Sequence, residues 1–415
     1  MKTAAILFLL LWPAVASADS GWYPQRRRSQ FQKEPGHIAV PYLFNLAGIG
    51  SGYGILGVAT NVGGTCTDVS ASLLAGDISG AALGLDSIHL IPEHLILDLG
   101  GAYLSRTAIE SYAQRGMASD KDDTMAAEFQ DSLYGGGRVT AAFLDRRLEA
   151  YLGFYGGEIK LAAIRDRDGE LIAEALDAPS EWFQTWVFGG RLDFTDDAMD
   201  PRRGTRFEAS LWRSPASDSG PDFYTTDYSL TAYLPLGRRS TWAFNYFRSD
   251  AHVLHQGETD PAAIAKTQGL ECDTIVDPVK QQKCREYVDT IAAENRYGSA
   301  SSLGGLSRLR SYPLGRYSGA HTQFVGTEVR WNLTDEMTPF NIFIVKDIRT
   351  ALQVALFYEL GSVADAQSDL WSKTRSSYGV GFRIVTASGV VYRIDLASGQ
   401  EGFETSIFFM YPWEI

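Results

Sequence analysis

Leu352-Gln353-Val354-Ala355-Leu356-Phe357-Tyr358-Glu359-Leu360 alternates without a break. Successive side chains of an extended strand point to opposite sides. Leu352, Val354, Leu356, Tyr358 and Leu360 therefore share one face, and Gln353, Ala355, Phe357 and Glu359 share the other. From Val325 to Leu333, Gly326, Glu328, Arg330 and Asn332 oppose Val325, Thr327, Val329, Trp331 and Leu333. Tyr378 to Ile384 sets Gly379, Gly381 and Arg383 against Tyr378, Val380, Phe382 and Ile384, and Val390 to Leu396 sets Val391, Arg393 and Asp395 against Val390, Tyr392, Ile394 and Leu396. The same period predicts strands at Trp182–Phe194, Gly204–Trp212, Tyr224–Leu234, Thr241–Arg248 and Glu404–Tyr411, with almost no helix.

A soluble sandwich alternates too, so the period alone does not fix the class. Here the apolar face recurs on strand after strand with aromatics near the ends, and charge recurs on the opposite face. A packed core rejects such charge, whereas a water-filled interior accepts it. On the lipid side a charged residue costs about 2–4 kcal/mol at mid-bilayer. The expected fold is all-β: a transmembrane antiparallel β-barrel in the bacterial outer membrane. Five strands are expected from the loop at 304–317 onward and nine to eleven before it.

Composition agrees, with 41 Gly, 20 Tyr and 21 Phe, and the net charge of −13 excludes a nucleic-acid partner, which would require a basic face. The N-terminus reads as an export signal over residues 1–18: Lys2, an apolar run Ala4–Trp12, then Ala16-Ser17-Ala18. Residues 19–37 form a short periplasmic segment around Arg26-Arg27-Arg28, and 38–415 form the barrel. Leu234–Arg239 and Ala387–Gly389 are tight turns. Ser105–Gly135, Asp166–Ser180, Ser214–Asp222 and His255–Tyr317 are long connections, which puts the last on the outer side or folded back into the lumen.

Several motifs reduce to structure. Gly52-Tyr53-Gly54-Ile55-Leu56-Gly57 fits a dinucleotide fingerprint but precedes another strand-like run rather than a helix, so its glycines thin the first strand. Asp166–Glu170 and Asp120–Asp123 lack the spacing of a calcium loop and read as turns. No metal and no cofactor is expected. The six histidines have no GxSxG nucleophile beside them, so no enzyme is expected. Cys272 and Cys284 share one polar insert in an exported chain and are expected to pair as a disulfide in preference to remaining free thiols.

The stretch Gly304–Tyr317, GGLSRLRSYPLGRY, carries Arg310 on a glycine-rich loop facing a belt of inward charges: Glu328, Arg330, Glu359, Arg383, Arg393 and Asp395. A guanidinium suits bidentate bonding to a carboxylate such as Glu359. A solvated loop arginine fits the same charge arithmetic equally well.

Leu309-Arg310-Ser311-Tyr312 resembles the (V/I)RG(F/Y) loop motif of the bacterial surface antigen superfamily, the outer-membrane-protein eighty-five type, which includes the Bam and Tam assembly barrels and the two-partner secretion transporters. Phe357–Gly361 is similar to its FxDxG strand motif, Gly379–Arg383 to the following glycine-rich strand, and Asp200–Gly204 to its DPxxG turn. Ser311 stands where the motif has glycine, and Glu359 where it has aspartate. The chain closes on Tyr411–Ile415 without the usual terminal aromatic. The resemblance implies sixteen strands, where the residues alone allow fourteen to sixteen, and a barrel-only member without periplasmic capture domains. It also implies a loop braced in the lumen, insertion or translocation of client polypeptides, and accessory periplasmic or lipoprotein partners. A passive pore or purely structural barrel is the second reading.

Overall fold

The computed structural model describes residues 35–415 apart from 47, 177, 199, 218, 335–338, 343–344, 387–390, 410 and 414–415. The leader at 1–18, the Arg26–Arg28 segment and the Ala387–Gly389 turn lie outside the described residues.

The first wall comprises β1 Gly36–Leu46, β2 Gly50–Thr60, β3 Asp68–Gly76, β4 Ser79–Ile91, β5 Leu95–Tyr112 and β6 Thr124–Phe143. It continues with β7 Leu148–Asp166, a short β8 Leu171–Glu174, β9 Glu181–Asp193, β10 Gly204–Ser214, β11 Asp222–Pro235 and β12 Ser240–His255. After a long connection come β13 His321–Asn332, a short β14 Pro339–Ile342, β15 Val345–Ala364, β16 Arg375–Thr386, β17 Val391–Gly399 and β18 Gly402–Phe409. Each strand pairs antiparallel with its neighbours, β7 pairs directly with β9, β13 pairs with β15, and β18 meets β1. Setting aside the short β8 and β14, the result is a closed barrel of sixteen strands, eleven before the long connection and five after it.

Closure turns alternation into two surfaces. Leu356, Tyr358, Trp331, Tyr378 and Phe382 are exposed on the outside, whereas Glu328, Glu359, Arg383, Arg393 and Asp395 are almost wholly buried within. Lipid takes the first set; no water-facing core could leave so many large apolar groups uncovered. The dinucleotide-like glycines lie in β2, not the first strand. A Cβ at Gly52 would meet the Phe44 ring at 2.6 Å and one at Gly54 would meet Tyr42 at 2.8 Å, so these glycines make room for aromatic rings of β1.

The longest connections, after β5, β7 and β12, leave from one end of the barrel, while the turns at 144–147 and 236–239 lie at the other. The alternation of lengths is not strict, because β1–β2, β3–β4 and β17–β18 turn tightly at the long-loop end. Ser105–Tyr112 and Thr124–Gly135 are strand, not loop, so β5, β6 and β7 together extend well past β4 and β9.

The expectation of almost no helix fails in the long connection, which holds α1 Pro261–Thr267 and α2 Pro278–Tyr297. Both start at an Asp-Pro pair. Asp260 caps Ala262, Asp277 caps Val279 and Lys280, and proline occupies the first helical position. Gly298 ends α2 at φ 71°. The helices bury Ile264, Cys284, Tyr287 and Val288 against Met125, Leu161, Ile164 and Ile172 of the protruding β6, β7 and β8. Cys272 and Cys284 form a disulfide within this cap. Closing a loop of this size constrains the open cap by about 3 kcal/mol in the chain-entropy treatment. Reduction is therefore expected to speed protease cleavage between 259 and 297 several-fold while the barrel keeps its folded gel mobility. Unchanged cleavage would mean that packing alone holds the cap.

Candidate functional site: an arginine loop sealed in the barrel

The segment 304–317 lies against the inner faces of β13, β15, β16 and β17. Leu303, Leu309, Tyr312 and Tyr317 are fully buried with Phe247, Phe324 and Trp413. Leu309 takes the left-handed turn at φ 53°, and Ser311 is not among the positive-φ residues. A serine is thus tolerated where the resembling motif has glycine, since no left-handed backbone is required at that position.

Arg310 is 1% exposed and donates to three carboxylates: Nε to Glu359 Oε1 at 2.9 Å, Nη1 to Asp395 Oδ2 at 3.0 Å and Nη2 to Glu328 Oε2 at 3.2 Å. Its backbone N–H also donates to Glu359 Oε2 at 2.9 Å. The guanidinium stacks 3.5 Å from the centre of the Phe357 ring. Burial alone would depress the guanidinium, but Glu359, Asp395 and Glu328 hold it above its ordinary range.

The other inward charges gather around the same point. Arg383 donates to both Glu328 oxygens at 2.6 and 2.5 Å, and Arg330 Nε donates to Glu328 Oε1 at 2.7 Å. Arg393 pairs with Asp395 at 3.4 Å and donates to the Leu306 carbonyl at 2.7 Å. Four guanidiniums thus share three carboxylates. Glu328, read only as one member of the belt, is the hub, because three of the arginines converge on it.

The strand glycines are cut-outs for this assembly. A Cβ at Gly379 would sit 2.6 Å from the Phe357 ring, one at Gly381 would sit 2.4 Å from Asp395 Oδ1, and one at Gly361 would strike Leu303 of the loop at 2.5 Å. Each glycine therefore lets a named site group approach the wall.

Further contacts were not legible in the motifs. Ser311 N donates to Ser377 Oγ at 3.0 Å, and the Tyr312 hydroxyl donates to the Ser376 carbonyl at 3.1 Å. Arg316 binds Glu401 at 2.6 Å, and through Nη1 it also donates to Ser119 Oγ at 2.6 Å, tying the loop to the β5–β6 connection. Arg308 stacks 3.5 Å from the Phe247 ring centre, and its burial pushes the guanidinium down to about 10.

The strand expected to run to Tyr411 ends at Phe409, and the chain then turns inward. Tyr411 and Trp413 are 2% and 3% exposed. The Trp413 Nε1–H donates to Glu359 Oε1 at 3.2 Å, and the Tyr411 hydroxyl donates to Asp200 Oδ1 at 2.7 Å. The only forewarning in the sequence is Pro412, which cannot continue a paired strand.

No family model and no curated protein matches the chain. Among solved structures, CdiB from Escherichia coli aligns over 93% of this chain and 68% of its own at TM-score 0.51 and 12% identity. BamA from Haemophilus ducreyi lacking POTRA domains 1–3 aligns over 90% and 71%, at TM-score 0.47 and 14% identity. CdiB from Acinetobacter baumannii aligns over 91% and 60%, at TM-score 0.43 and 13% identity. The fold is that of an outer-membrane barrel. At these identities the likeness extends to the fold alone, and function has to be argued from the site.

Proposed function

We propose that this chain is a barrel of the bacterial surface antigen type that acts without catalysis in inserting or translocating proteins at the outer membrane. The arginine loop braces the lumen while the seam between β1 and β18 admits a client. The seam carries the reading. Among the described residues, β1 and β18 are in register at one pair, Asn45 with Ile407, supported by Asn45 Nδ2 donating to the Thr405 carbonyl at 2.6 Å. By contrast, β1 and β2 share eleven register pairs. A strand edge paired this sparsely offers backbone donors and acceptors to an incoming strand.

The passive-pore reading meets an obstacle in the same barrel. The loop enters the lumen from one end and Tyr411–Trp413 from the other, and both take up cross-section that a solute path would need. A photo-crosslinking residue at Ile38 or Ile407, with planar-bilayer recording of the same protein, separates the two. Trapped polypeptide at the seam with little steady current is expected; steady current with no trapped chain would replace this proposal with the pore.

A further inference from the structure

We infer that Tyr411 and Trp413 are positioning residues of the arginine loop, forming a latch that makes seam opening and loop release one event. The inference rests on the seam reading above and adds a device to it. The latch begins at β18, which is one lip of the seam, and crosses the lumen. Tyr411 reaches Asp200 in the β9–β10 connection, eight strands around the barrel from the seam. On the way its ring passes under two site cations, with the Arg330 and Arg383 guanidiniums 4.4 and 5.2 Å from its centre.

Trp413 then shares an acceptor with the loop. Glu359 Oε1 takes one bond from Arg310 Nε at 2.9 Å and one from Trp413 Nε1 at 3.2 Å. The socket is shaped for the indole: a Cβ at Gly326 would lie 2.8 Å from Trp413 Cζ2. Trp413 also sits at φ 69°, a left-handed conformation that a bulky residue keeps only where its surroundings hold it. Pulling β18 away from β1 draws on this tail, removes a donor from Glu359 and weakens the hold on Arg310. Linkage makes the effect reciprocal, so freeing Arg310 loosens the tail.

Hydrogen exchange on the full-length protein in detergent or nanodiscs reads both ends at once. Trp413→Ala is expected to speed exchange about tenfold in the peptide spanning 304–317 as well as in 402–409, because a bond to a buried charge is lost. Peptides from β3 and β4 should not change. In the reverse direction, Arg310→Ala should speed exchange around 411–413. If Trp413→Ala does not assemble, Trp413→Phe keeps an aromatic ring in the socket, removes the donor together with part of the indole's bulk, and should still accelerate the loop. Acceleration confined to the tail, with 304–317 unchanged, would overturn the latch. Client crosslinking at the seam is scored separately on the same variants. Absence of a client would count against the proposed function, and absence of coupling would count against the latch.

Discussion

Glu328→Ala is expected to be the most damaging single substitution in the barrel, lowering its stability by about 3–5 kcal/mol. Glu328 is fully buried and accepts from Arg383, Arg330 and Arg310, so its removal leaves four enclosed guanidiniums with two carboxylates. Glu359 faces a milder fate. It has one cationic partner, Arg310, and its other donors are the Arg310 backbone N–H and the Trp413 indole, both neutral. The penalty for breaking a buried pair comes from the charge left behind, so the carboxylate serving three cations outranks the one serving one. Denaturant midpoints read from the folded and unfolded gel bands should follow the order wild type, Glu359→Ala, Glu328→Ala. A Glu328→Ala barrel as stable as wild type would mean that solvent reaches the lumen and screens the cluster.

That ordering shows where the sequence stops being informative. Alternation places Glu328, Glu359, Arg383, Arg393 and Asp395 on the inner face, because a one-residue period error would put charge into lipid. It does not say which of them meet. Their heights depend on register: Glu328 stands beside Phe357, Glu359 beside Gly326, and Asp395 beside Gly381. Register between strands is a property of the whole closed sheet, so no local pattern singles out Glu328 as the hub. The helical cap was missed for a different reason. Its two Asp-Pro starts are short signals in a polar insert, and the apolar face of α2 makes sense only once β6 and β7 are known to protrude. Glu404 to Tyr411 keeps a strand's period, so the sequence alone carries β18 as far as Tyr411. The lumen, not local preference, decides where Tyr411 goes.

Arg310→Ala should free the loop while leaving the barrel standing. Removing this cation leaves three guanidiniums and three carboxylates in the cluster: Glu328 keeps Arg383 and Arg330, Asp395 keeps Arg393, and Glu359 keeps the neutral Trp413 donor. What is lost is the three bonds from the Arg310 side chain to Glu359, Asp395 and Glu328, together with the cation–π contact to Phe357. Chymotrypsin is a suitable probe, since Tyr317, which precedes Ser318, is wholly buried in the native loop, whereas the Tyr312–Pro313 bond resists this protease. Loss of a buried ionic contact worth about 3 kcal/mol corresponds to roughly a hundredfold faster cleavage when opening precedes the cut. Arg310→Lys should recover only a small part of that protection. A lysine ammonium is a point charge on a flexible stem and cannot hold Glu359, Asp395 and Glu328 in three fixed directions as the planar guanidinium does. Equal protection in the lysine variant would show that charge alone secures the loop. Unchanged cleavage in the alanine variant would show that the buried tyrosines and leucines hold it without the arginine.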